Sequence, residues 1–169
     1  MHSIKVFLDI DGVLNNTNHT MSYTLDEYRT ASKQWRIDYG TYMLNPNCVY
    51  GIIKAIHYLQ TYYVSVDVIL SSTWRLGGSK VIGKLNNIFN AFGYLDIMIT
   101  DVTPRLGTIR GLEVAKYMKS YKNTEYIIID DDSDFTREQI KHHLFLCDNN
   151  DGFVFEKFKI YFDNRTEWH

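Results

Sequence analysis

The stretch Ile4–Asn15 reads IKVFLDIDGVLN. A strand that is apolar on both faces belongs in the interior of a parallel sheet, so the rest of the chain must supply helices to cover both sides. Its end constrains the fold further. Asp9 and Asp11 stand one residue apart after an apolar run. Two such carboxylates repel each other and resist desolvation unless something positive lies between them. A turn or cap after a strand does not need both. A divalent metal and a phosphate do.

The remainder of the chain alternates between strand-like and helix-like segments. A polar loop follows Asn15, and Thr24-Leu25-Asp26-Glu27 is a capping box that predicts a helix from Leu25 to about Trp35. Asp38 to Pro46 reads as an irregular aromatic connection. Val49, Ile52, Ile53, Ile56 and Leu59 fall at helical spacing, so a second helix is expected to start near Asn47. Val64–Leu70 is the next strand, ending in Ser71-Ser72-Thr73-Trp74-Arg75. Ser79 is expected to cap a helix whose stripe is Val81, Ile82, Leu85, Ile88, Phe89 and Phe92, with Gly93 stopping it. Leu95–Ile99 reads as a short strand and Thr100–Thr108 as a loop carrying Arg105. Arg110 and Gly111 open a helix to about Tyr121. Glu125–Ile129 is a strand that runs into Asp130, Asp131, Asp132 and Asp134. A short helix to about His142, a strand over His143–Cys147 and a tail helix complete the pattern.

This alternation predicts a single α/β domain with an open parallel sheet and helices on both faces. Residues 16–46, about thirty in number, have room only for a small cap-like insertion. The length suits one domain. In such sheets ligands bind at the carboxyl ends of the strands. Asp9 and Asp11, Ser71 and Ser72, and the aspartate cluster all lie at those ends, with Arg110 ahead of the helix that leads to the third. Residues distant in sequence should therefore meet at one edge.

Composition narrows the function classes. A net charge of -2 and a pI near 6.3 argue against an extended nucleic-acid footprint, though not against recognition of a nucleotide or a strand end. No apolar run is long enough to span a membrane, and the first residues lack a basic leader. Cys48 and Cys147 lie far apart in apolar contexts and are expected to be free, buried thiols of a cytoplasmic protein. His142, His143 and Cys147 lack a usual zinc spacing.

A hard divalent cation suits the acid set, because magnesium takes oxygen ligands from carboxylates, water and phosphate. Asp9, Asp11, Asp130 and Asp131 are the candidate metal residues, with Asp134 next. Asp9 can attack phosphorus. Asp11 can protonate the leaving oxygen and then activate a water. Ser71 and Arg110 can donate to phosphoryl oxygens. Gly12, Ser72, Thr73 and Arg75 are candidate substrate-binding positions, and Trp74 is expected to serve packing.

Together these residues resemble the haloacid dehalogenase (HAD) superfamily of phosphohydrolases. The motifs are Asp9-Ile10-Asp11-Gly12, Ser71 at a strand end, a basic residue in IRGLEV, and IIIDDDSD, in that order. The resemblance implies a Rossmann-like fold, a magnesium cofactor, Asp9 as nucleophile and Asp11 as acid/base. The strings SSTWR, RGLEV and IIIDDDSDF are similar to those of small phosphatase domains linked to RNA and nucleic-acid end repair. Arg105 rivals Arg110 for the basic role. A small cap leaves the site open, which suits a nucleotide or a nucleic-acid 3′-phosphate end. Two other readings stay open: a metal-dependent nuclease without a protein nucleophile, and a non-catalytic protein that binds a nucleotide or partner on the same fold.

Overall fold

The computed structural model describes residues 3–22, 44–94, 96, 98–107 and 109–166. The helix expected over Leu25–Trp35, and most of the cap-like insertion with it, lie outside the described residues. The elements run β1 (Ser3–Leu8), α1 (Thr17–Met21), α2 (Pro46–Leu59), β2 (Ser65–Leu70), a 3-10 turn (Thr73–Gly77), α3 (Gly78–Ala91), β3 (Ile99–Val102), α4 (Arg110–Met118), β4 (Glu125–Asp130), α5 (Arg137–His142), β5 (Leu144–Leu146) and α6 (Phe155–Thr166). The five strands form one sheet in the order β3-β2-β1-β4-β5, and every pairing is parallel. This is the expected α/β, Rossmann-like architecture.

β1 is the central strand because both of its faces can be buried. Ile4, Val6 and Leu8 join Val68, Leu70, Ile127 and Ile129 in one core, which α2, α3 and α6 close with Ile52, Ile56, Leu85, Phe89, Phe158 and Phe162. On the other face Phe7, Ile69 and Ile128 meet Val114, Phe135 and Leu144. Each such side chain contributes about 1.5–3 kcal/mol when fully buried. The strand ends that carry the polar groups are thus anchored in the least yielding part of the molecule.

Two local expectations are corrected. The strand expected over Leu95–Ile99 lies at Ile99–Val102. It is an edge strand with Thr100 and Asp101 exposed, so it shows no apolar pattern to read. The Asn86 side chain holds it by accepting from the Ile99 N–H at 2.8 Å and donating to the Ile99 carbonyl at 3.1 Å. Ser79 does not cap α3. The helix starts at Gly78, after the 3-10 turn, and it is Ser72 that caps this turn by accepting from the Trp74 N–H. Gly78 takes φ +63 at the junction, a conformation open to glycine. Cys48 and Cys147 are free and buried. Among the described residues no helix is long and apolar enough to cross a membrane.

Candidate active site

From β1 the chain builds outward to β2 and β3 on one side, while β4 and β5 lie on the other. The strand order therefore reverses beside β1, and the crevice at the carboxyl ends of β1 and β4 is where such sheets bind ligands. Asp9 follows β1 there, its N–H donating to the Ile129 carbonyl at 3.0 Å. Asp130 closes β4, because its carbonyl accepts from the Cys147 N–H and extends the ladder one residue past the expected end.

Asp9, Asp130 and Asp131 each place a carboxylate oxygen within 4.8 Å of the others. Asp9 and Asp130 are buried. Burial, reinforced by the charge of Asp9 and opposed by Arg110, pushes the Asp130 carboxyl up to about 8. Burial also raises Asp9 against the pull of Arg110 and the Ser72 hydroxyl, and it raises Asp131. The Arg110 guanidinium lies across the group, 2.7 Å from Asp130, 3.1 Å from Asp9 and 3.4 Å from Asp132.

Asp11 points elsewhere. It is exposed, and its carboxylate accepts from Asn15 Nδ2 at 2.6 Å and from the Trp74 indole N–H at 3.1 and 3.0 Å. Asp11 thus stands at the mouth of the crevice, outside the carboxylate cluster. Gly12 makes this turn feasible. Its φ is +72, and a Cβ there would sit 2.0 Å from Asp131 Oδ2. A side chain at this position would need an unfavourable backbone and would displace a member of the acid cluster.

The loop after β2 divides its roles. Ser71 and Ser72 are both buried. Ser72 is the serine beside the Asp9 carboxylate. The Ser71 hydroxyl is buried without a hydrogen-bond partner among the described residues. Thr73 lines the crevice. Arg75 reaches back into the protein, donating to the carbonyls of Ser71 and Ser72 at 2.6 and 2.9 Å and pairing with Glu113 at 2.5 Å. Glu113 also accepts from the Leu106 N–H at 2.8 Å. Arg75 is therefore engaged as a clamp between this loop, α4 and the segment that carries Arg105.

The surplus acids serve α4. The Asp134 carboxylate accepts from the Arg110 N–H at 3.1 Å, and its carbonyl accepts from the Gly111 N–H at 3.0 Å. Gly111 is required by close packing, since a Cβ would lie 2.8 Å from the backbone of Phe135 and Thr136. The crevice opens into a cavity of about 530 Å³ lined by Asp9, Asp11, Thr73, Arg105, Arg110 and Asp131 among others.

Asn15, Trp74 and Glu113 enter the site without having been singled out by their chemistry. Glu113 carried a signal, an acid three residues after Arg110 on a helix that must bury one face. The donor set of Asp9, Asp130 and Asp131 is all oxygen and too crowded to ionise fully alone. That fits a hard divalent cation.

The family model described as the HAD domain in Swiss Army Knife RNA repair proteins matches residues 5–158. No curated protein and no solved structure matches the chain. The match takes in β1 through the first turn of α6 and every residue of the crevice, so the chain belongs to that family of HAD domains.

Proposed function

We propose that this chain, a HAD domain of phosphatase type, is a magnesium-dependent phosphomonoesterase acting through an aspartyl-phosphate on Asp9. Its expected substrate is a nucleotide or a nucleic-acid 3′-phosphate end, in the cytoplasm. The observation that carries the reading is the Asp9 carboxylate, fixed at the end of a buried strand, beside Arg110 and facing an open cavity.

Asp9, Asp130 and Asp131 would hold the metal. Bound there, magnesium would screen an anionic nucleophile from an anionic phosphate. An Asp9 oxygen attacks phosphorus and forms the acyl-phosphate bond as the bond from phosphorus to the ester oxygen breaks. Asp11, at the mouth, gives its proton to that departing oxygen. It then takes a proton from water, which attacks phosphorus, releases inorganic phosphate and restores the Asp9 carboxylate. Arg110, with the hydroxyl of Ser71 or Ser72, stabilises charge on the phosphoryl oxygens. The Asn15 and Trp74 donors hold Asp11 at the mouth of the crevice.

The test is turnover of phosphate esters with magnesium. The panel comprises nucleoside monophosphates, sugar phosphates and 3′-phosphorylated oligonucleotides. Asp9→Asn should reduce release of phosphate to background while the fold is retained, and beryllium fluoride should form a complex at Asp9. Retained turnover in Asp9→Asn, or cleavage of internal diesters without any covalent or analogue complex, would move the assignment to a metal-dependent nuclease.

A further inference from the structure

Among the described residues three arginines line the cavity: Arg75, Arg105 and Arg110. Two are committed. Arg75 is buried against Glu113 and the carbonyls of Ser71 and Ser72. Arg110 spans Asp9, Asp130 and Asp132. Arg105 is different. It is exposed at the rim, and no ion pair joins it to any of the described residues, although Asp11, Asp131, Asp132 and Asp134 line the same cavity.

Its backbone is nonetheless fixed. The next residue, Leu106, donates its N–H to Glu113, and Glu113 is the partner of Arg75. Upstream, the Thr103 N–H donates to the Leu70 carbonyl at 3.0 Å, continuing the ladder at the end of β2. The short segment 103–106 is thus tied at both ends to the scaffold that carries Ser71, Ser72 and Arg110. A guanidinium held at such a rim, with its fork of donors uncommitted among the described residues, is suited to an anion beyond the reacting group.

We propose that Arg105 is the specificity-determining residue for a second phosphate on the substrate. It would contact the phosphodiester next to a 3′-terminal phosphate, and so select the end of a strand over a nucleoside monophosphate. The proposal rests on the phosphatase reading above, and removes Arg105 from rivalry with Arg110 for the scissile phosphate. It accommodates the acidic overall balance, since one rim cation reading one neighbouring phosphate needs no extended basic surface.

The experiment compares three probes that share a 3′-phosphate: a nucleoside 3′-monophosphate, a dinucleotide 3′-phosphate with one internal diester, and a nucleoside 3′,5′-bisphosphate. Wild-type kcat/KM should favour the dinucleotide over the monophosphate by about ten-fold or more, the scale of one charge-assisted contact. Arg105→Ala should collapse that ratio, and Arg105→Lys should keep only part of it. The bisphosphate arm separates a diester from a second terminal phosphate; equal preference for both would make the second phosphate, not the strand, the recognised group and would overturn the strand-end assignment. An unchanged ratio in Arg105→Ala overturns the proposal as a whole. So does an equal loss on dinucleotide and monophosphate, which would put Arg105 on the scissile phosphate. Binding of the same probes to Asp9→Asn and to Asp9→Asn/Arg105→Ala, read by calorimetry, gives the same ratio without turnover. If no ester is hydrolysed, the phosphatase reading fails by itself. The binding ratio then still decides Arg105: a preference lost with Arg105 supports the assignment, and a preference kept refutes it.

Discussion

Removal of the Glu113 carboxylate tests the scaffold behind the site. Arg75 and Glu113 have side chains only 8% and 4% exposed and meet at 2.5 Å. The Arg75 guanidinium also holds the Ser71 and Ser72 carbonyls, and its Nε is buried without a partner among the described residues. In Glu113→Ala the guanidinium stays buried with its counter-charge gone, and the Leu106 N–H loses its acceptor. Breaking a buried pair in this way costs about 3–5 kcal/mol. For a chain of this length each kcal/mol lowers the midpoint by about 2–4 °C, so a fall of roughly 6–20 °C is expected. Urea unfolding followed by far-ultraviolet circular dichroism measures the free energy directly. The paired change Arg75→Met/Glu113→Leu should recover part of the loss, because it leaves no charge stranded, although the Ser71 and Ser72 carbonyls and the Leu106 N–H lose their partners. A loss below about 1 kcal/mol, the range of exposed pairs, would refute the argument. So would a double variant no better than Glu113→Ala.

Gly12→Ala should destabilise the chain by about 1–2 kcal/mol from its left-handed backbone alone. It should also shrink the stabilisation that magnesium gives in thermal melts, since the new Cβ would overlap Asp131; an undiminished magnesium effect would separate Asp131 from the metal. Without metal, the contribution of Asp130 to stability should be fully present below about pH 4, where unfolded carboxylates hold their protons, and should be lost as pH rises through about 8, because the folded chain keeps a proton on Asp130 that the unfolded chain has released. Urea unfolding of the wild type and of Asp130→Asn in chelator checks the sign: the stability difference between them should move in favour of Asp130→Asn as pH rises from about 4 to about 8, and a shift toward the wild type would contradict it.

The parts of the fold legible in the sequence are those decided by burial on both faces. β1 and β4 are such strands, and their apolar runs lead straight to Asp9 and Asp130. β3 is not, because half its surface meets water and its position depends on the distant Asn86 side chain. Arg75, a candidate substrate-binding position in the sequence, pairs with Glu113 in the fold for a related reason. A guanidinium after a strand end suits a phosphate or a carboxylate equally well, and the carboxylate it uses is 38 residues further along the chain. The choice between Ser71 and Ser72 at Asp9 turns on backbone geometry just past the strand, where strict alternation no longer applies.

The same division explains why the sequence motifs point to a reaction more readily than to a substrate. Asp9, Asp130 and Ser72 are buried at the ends of central strands, so residue type and order nearly determine their placement. Such groups can orient a phosphoryl transfer on any ester that presents its phosphate to them. Thr73 and Arg105 are exposed at the rim, and the segment that carries Arg105 is placed by the Glu113 clamp. Discrimination between one ester and another must come from groups that touch what lies beyond the phosphate. That makes the rim, where Arg105 has no ion pair among the described residues, the place where substitutions should change which substrate is chosen. Substitutions at the buried strand ends should instead remove the reaction for all of them.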